Sequence, residues 1–151
     1  LAVAGLLVAA LHGRVWGARA PVETASDMFY ADAILQAGAG LPLPDEHEDR
    51  GVYVVEGAVT VAGEAYEAGR MMVFRPGDRI SLTAGPKGAR VMLLGGETLE
   101  GSRYIWWNFV ASSKERIEDA KEAWRRGDWE TNARFHLPPG DDQEFIPLPE
   151  R

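Results

Sequence analysis

Residues 51–78 read GVYVVEGAVTVAGEAYEAGRMMVFRPGD, and they decide the fold class. Short runs rich in Val, Tyr and Phe are cut by Gly, Pro and Asp at intervals of about ten residues, the pattern of consecutive β-strands. Ala62-Gly63 stands between AVTV and EAYE as a two-residue hairpin turn, and Gly63 accepts the positive φ that such turns require. The same texture extends outward from Arg14 to about Val110. Strands are expected at 14–20, 28–36, 51–57, 58–63, 64–69, 71–76, 79–85, 89–96 and 103–110, with FRPGDR (74–79) and TAGPKG (83–88) as turns. Many short strands at this spacing predict a sandwich or barrel.

The period then changes. SSKERIEDAKEAWRRG (112–127) carries Ile117, Ala120 and Trp124 at helical spacing, a capping box from Ser112 to Glu115, and Gly127 just past its end. One amphipathic helix over about 113–126, laid on the barrel, is the expectation. The following segment, 128–151, is rich in Pro, Asp and Gly but also holds Phe135, Phe145, Ile146 and Leu148, so an ordered tail lying against the body is expected. At the other end, LAVAGLLVAALHGR (1–14) contains an apolar run too short for the ~20 residues that span a bilayer, and it lacks a basic leading segment. Residues 1–12 are left unassigned, an apolar leader or the remnant of an interdomain segment.

At 151 residues the chain can form one domain with a sizeable core. Lys and Arg number 16 against 23 Asp and Glu, a net charge of -7, which repels phosphate backbones and argues against direct nucleic-acid binding. There is no cysteine, so disulfides, thiolate metal ligands and a cysteine nucleophile are excluded, in keeping with a cytoplasmic location.

Two pairs of strings carry a family resemblance. VYVVEGAV (52–59) and YEAGRMMVFRPGD (66–78) resemble the two sequence motifs of a cupin barrel, a double-stranded β-helix or jelly roll. GGETLEGSRYIWWNFVASSKERIEDAKEAW (95–124) and PPGDDQEFIPLPE (138–150) resemble the carboxy-terminal cupin domain of bacterial pirins, and the likeness runs from about Gly13 to Arg151. It implies a mostly β, single cupin barrel with a carboxy-terminal helix and tail, residues 13–151 forming the domain. Pirins are two-cupin proteins. The family's implied activities are iron-dependent dioxygenation of flavonols such as quercetin and, in eukaryotes, transcriptional co-regulation, and both attach to a metal in the amino-terminal domain.

The cupin pattern, G-x5-H-x-H-x3,4-E-x6-G followed by G-x5-P-x-G-x2-H-x3-N, can be laid on this chain. Anchored on Gly57, it places the carboxylate at Arg50 and the first two histidines at Pro44 and Glu46, or at Leu43 and Asp45. Anchored on Gly69 and Gly77, it places the third histidine at Ile80. A guanidinium in the carboxylate position repels a cation, by about 3 kcal/mol for unit charges ~5 Å apart at an effective dielectric of 20. Shifting the register by one recruits Asp45 and His47 but leaves Gly51 or Arg50 for the carboxylate and Ile80 unchanged. The remaining metal candidates are Glu46, His47 and Glu48.

Other residues read more simply. His136 is expected to pack or hydrogen-bond, and His12 supports no functional assignment. Trp106 and Trp107 should alternate faces of a strand, one entering the core and one meeting the helix or a partner. Met71 and Met72 read as core filling, the two aspartates of PGDD (139–142) as bonding to tail backbone, and EAWRRGDW (122–129) as a solvated helix end.

Three functions follow. The first is a metal-free cupin with a structural or interaction role, holding no cofactor itself, partnered by an amino-terminal pirin-type cupin domain or by a second copy, with no nucleic-acid or membrane contact. The second is an iron-dependent enzyme of the quercetin 2,3-dioxygenase type built on Glu46, His47 and Glu48, which requires these side chains to face the barrel interior. The third is a small-molecule binding module, with Arg50 pairing an anionic ligand at the barrel mouth and Val52, Phe74 and Ile80 lining an apolar cavity.

Overall fold

The computed structural model describes residues 2, 3, 5–132, 134–141 and 144–149, and among these the chain forms eleven strands and one helix. The strands are β1 (Ala2–Val3), β2 (Leu6–Val15), β3 (Ala18–Arg19), β4 (Met28–Leu35), β5 (Gly40–Pro42), β6 (Asp49–Val61), β7 (Glu64–Glu67), β8 (Met71–Phe74), β9 (Ser81–Gly96), β10 (Tyr104–Trp106) and β11 (Phe109–Ala111); the helix α1 is Lys114–Arg126. No helix among the described residues is long and apolar enough to cross a membrane. Two units are distinguished, Leu1–Leu99 and Glu100–Arg151.

In the first unit the sheet runs β1-β2-β4-β9-β6-β7, with β3 on β2, β5 on β9 and β8 on β6. Period-two alternation places one set of side chains on a common inner face. Phe29, Ala31, Ala33 and Leu35 of β4 meet Val91 and Leu93 of β9, Val52, Val54, Val59 and Val61 of β6, and Met72 of β8 in one buried cluster. Leu41 and Leu82, opposite one another on β5 and β9, join the same cluster. The mostly β architecture expected from residues 51–78 is thus present.

Several local expectations are corrected. GVYVVEG and AVTVAG are one strand, β6, bent at its bulges rather than broken between residues 57 and 58. TAGPKG does not end a strand: β9 continues through it, and the four residues 85–88 bulge out opposite Ala58 while Ala84 pairs with Val59 and Ala89 with Gly57. Glycine is required on both sides of this bulge. Gly57 has φ 71°, and a Cβ there would lie 2.2 Å from the Gly88 carbonyl oxygen. Residues 6–12 of the apolar leader run on without interruption into Arg14 and Val15 as β2, which pairs with β4.

In the second unit α1 begins one residue later than expected. Ser113 is the N-cap, accepting a hydrogen bond from the Arg116 N–H, and Gly127 closes the helix in the left-handed region. The Ser112–Glu115 box is therefore replaced by a Ser113 cap. Ile117, Ala120 and Ala123 form the buried face, and Trp124 is half-buried beside it. This face packs with Phe109 of the β10–β11 hairpin and with Phe135 and Leu148 of the tail. Trp107 does not alternate with Trp106, because it occupies the hairpin turn with φ 49°; its ring meets Trp124 edge-on, while Lys121 Nζ lies 4.3 Å from the Trp106 ring centre. Buried Asn132 anchors the tail, donating to the Ala123 carbonyl and accepting from the N–H groups of Arg134 and Phe135. The Trp124 indole N–H donates to the Ile146 carbonyl at 2.9 Å, and a His136 ring nitrogen lies 3.1 Å from the Trp129 carbonyl. Of PGDD, Asp141 donates its own N–H to the Pro138 carbonyl, and Asp142 lies outside the described residues.

Candidate functional site

Two faces of the first unit's sheet could carry function. On the inner face, Phe29, Gly95, Arg50 and Phe74 form one transverse row across β4, β9, β6 and β8. Gly95 makes room for the neighbouring ring, since a Cβ there would lie 2.4 Å from Phe29 Cε1. His47, half-buried, stacks on Phe29 with ring centres 5.7 Å apart.

Arg50 is the unusual member of this row. Only 2% exposed, it donates from Nη1 to the Pro44 carbonyl at 3.2 Å and from Nη2 to the carbonyls of Arg75 and Asp78 at 3.1 and 2.8 Å. Its Nε has no partner among the described residues. The ion pairs among the described residues are Arg90–Asp32, Lys121–Glu118 and Arg126–Asp128, so this buried guanidinium is held by main-chain carbonyls and not by a carboxylate. Burial of a charge is tolerated only with such hydrogen bonding, and the acidic run 45–49 beside it supplies opposite charge at longer range.

The sequence candidates separate into different surroundings. Arg50, Val52 and Phe74 do share the inner face, but Val52 is fully buried in packed core and Arg50 is turned into carbonyls, so they do not open a cavity there. Ile80 is half-buried between β8 and β9 and accepts the Leu43 N–H through its carbonyl. It shares a hollow of about 430 Å³ with Glu46, Trp16 and Leu43 instead. Glu46 and Glu48 are exposed, and Glu48 accepts a long hydrogen bond from the Thr98 hydroxyl. Among the described residues no three His, Asp or Glu side chains converge as a metal site would need. A guanidinium, a proline, a glutamate and an isoleucine in the cupin ligand positions do not fit a divalent metal.

An exposed apolar patch is expected of a cupin parted from its mate, but the residues of the outer face were not named from sequence. Tyr30, Leu94, Gly51 and Val73 form one row across β4, β9, β6 and β8, and Asp32, Met92, Tyr53 and Met71 form the next. Val73 is 77% exposed, Met71 47% and Tyr53 40%, so only Met72 of the methionine pair fills the core. Gly51 leaves Met71 space to lie over the sheet, because a Cβ at 51 would come 2.7 Å from its methyl carbon. The Arg90 guanidinium grips Asp32, at the β4 end of the second row, with two hydrogen bonds of 3.0 and 2.7 Å, and the carboxylate raises the arginine pKa further. At one end the face deepens into a cleft of about 840 Å³, floored by Met28, Tyr30, Met71, Val73 and Leu94 and walled by residues 22–26. His12, to which sequence assigned no role, lies in its lining. The missed signal is visible in VYVV, MMVF and VMLL, which lack the polar alternate positions of a strand wet on one side.

Residues 30–130 match the model of the pirin C-terminal cupin domain. A pirin-like protein of Caulobacter vibrioides is 42% identical over 146 residues, 97% of this chain and 48% of the relative. A Pseudomonas aeruginosa protein provisionally named as a quercetin 2,3-dioxygenase is 35% identical over 126 residues, 82% of this chain and 40% of its own. The crystal structure of an Acinetobacter baumannii quercetin 2,3-dioxygenase superposes with a TM-score of 0.79 at 28% identity, covering 100% of this chain and 50% of that one. The chain thus spans half or less of the length of these relatives.

Proposed function

The chain belongs to the pirin C-terminal cupin family, and from that premise we propose that it is a metal-free supporting cupin of the cytoplasm, which docks through its outer sheet face on a metal-bearing cupin domain. The observation that carries this reading is the apolar outer face: Tyr30, Leu94, Met92, Tyr53, Met71 and Val73 lie side by side across four strands, where a free surface would alternate with polar residues. Two further facts support it. Relatives of this chain are about twice its length, which leaves room in each for a second domain of the kind that pirins carry. Arg50 stands in the carboxylate position of the cupin pattern with both terminal nitrogens bonded to carbonyls, which supports a domain that holds no cofactor itself.

The rival reading, an iron-dependent quercetin 2,3-dioxygenase centred on Glu46, His47 and Glu48, draws on the names of the relatives. It needs the three side chains to converge, whereas both glutamates are exposed and His47 stacks on Phe29. The test is co-expression of this chain with the part of the Caulobacter pirin-like protein that it does not match, followed by elemental analysis of the chain alone and of the complex. A one-to-one complex weakened by Val73→Asp, with metal only in the companion, is the expected result. Absence of a complex, or stoichiometric metal in the chain alone that is lost on His47→Ala, would overturn it.

A further inference from the structure

The outer-face cleft has a chemical character beyond being apolar. Its floor is Met28, Tyr30, Met71, Val73 and Leu94, but its lining also carries the carboxylates of Glu23, Asp49 and Glu97. Among the described residues the one guanidinium in that lining is Arg50, which is 2% exposed with three of its five N–H donors bonded to main-chain carbonyls, so its burial leaves almost no surface for an occupant to meet. No lysine among the described residues lines the cleft. The Glu97 carboxylate is positioned by the Asp27 N–H, and that of Asp49 by the Thr98 hydroxyl at 3.1 Å, which holds two of the three acids at the rim. An occupant therefore meets an apolar floor under a rim of negative charge.

We infer that the cleft receives a segment in which an apolar or aromatic side chain is flanked by Lys or Arg. The apolar side chain seats on Tyr30, Leu94, Met71 and Val73, and the cations pair with Glu23, Asp49 and Glu97. The inference rests on the docking reading above and adds to it the chemistry of the contact. Charge complementarity argues for this occupant over a second copy of the chain, which has a net charge of -7 and brings a second acidic rim. It argues equally against a polyphenol, whose ionised hydroxyls would face three carboxylates. Rim pairs of this type set register and specificity while the apolar contact supplies most of the affinity.

The test is an NMR titration of the 151-residue chain with three probes: the capped peptide Arg-Leu-Phe-Arg, its analogue Glu-Leu-Phe-Glu, and quercetin. The basic peptide should shift the amides of Tyr30, Leu94 and Val73, bind about tenfold more tightly than the acidic one, and lose most of that advantage in Glu23→Lys or in added salt. Glu23 is exposed in the loop wall, so its replacement leaves the core untouched. Equal binding of both peptides would overturn the cationic requirement while leaving the docking face standing. Quercetin shifting the same amides and displacing the peptide would overturn it in favour of a small-molecule site. No shift with any probe would remove the cleft as a contact, and the co-expression experiment would then decide whether the rest of the face docks at all.

Discussion

Replacing Arg50 with Met should cost the first unit about 3 kcal/mol, for reasons that can be set out bond by bond. The guanidinium makes three hydrogen bonds to main-chain carbonyls, and each bond from a charged donor contributes about 1.5–3 kcal/mol. Against this stands the desolvation of a guanidinium that is 2% exposed and has an unpartnered Nε, a penalty of several kcal/mol that Met does not incur. Met also refills much of the volume. What it cannot do is satisfy the carbonyl of buried Pro44 or hold the turn at 75–78, whose carbonyls then depend on water. Arg50→Lys should be no better, because a single ammonium cannot span carbonyls from two separate segments and still carries a buried charge. The assay is urea unfolding followed by the sheet circular dichroism signal, with the slope checked for constancy so that the midpoint reports stability. A Met variant within about 0.5 kcal/mol of the parent would refute the reasoning, since surface substitutions scatter by that amount. It would mean that the carbonyl contacts are incidental to the fold.

Two other outcomes can be measured with the same apparatus. Gly57→Ala should lose about 3 kcal/mol or more, because its Cβ would lie 2.2 Å from the Gly88 carbonyl oxygen at φ 71°; Gly63→Ala, at φ 87° with nothing within 4 Å, should lose only about 1–2 kcal/mol. Equal losses would show that backbone conformation and not close approach governs both. For acid, Glu115 is held below the ordinary carboxylate range first by its own backbone N–H and then by the Ser113 hydroxyl. A depressed folded pKa contributes stability that is complete above the unfolded value near 4.3 and is lost as pH falls through the folded one, so helix ellipticity should drop on that acidic limb and Glu115→Gln should flatten it. An unchanged limb in the Gln variant would assign the acid sensitivity elsewhere.

The strand texture, the hairpin at Ala62-Gly63 and the helix with its Gly127 stop were legible because each depends on neighbours within a few residues. Longer-range features were not. Whether TAGPKG turns the chain or bulges from it is decided by Gly57 on another strand, which touches Gly88. The choice between Ser112 and Ser113 as cap turns on one residue of register, to which hydrophobic spacing is insensitive. Arg50 falls at the carboxylate position of the sequence pattern, yet its destination was invisible, because three carbonyls carry no side-chain identity that a sequence could display. Asn132 was missed for a similar reason: its partners are backbone groups and an aspartate brought near by the helix end. The outer face could have been found, since VYVV, MMVF and VMLL are apolar at consecutive positions. Reading Met71 and Met72 as one core pair concealed that successive strand residues must face opposite ways.

The place of β9 in the sheet has a consequence for how the chain is made. Strands β2 and β4 form one ladder and β6, β7 and β8 another, and among the described residues β9 alone joins them, pairing with β4 on one side and β6 on the other. Both ladders leave the ribosome before β9 does. Until Gly96 has emerged, each therefore holds an open edge and an apolar inner face without its partner. Nascent chains in that condition fold slowly and are prone to edge-to-edge association. The sheet is thus completed in one late event, the insertion of a single 16-residue strand, and that interval is when the growing chain most needs a chaperone.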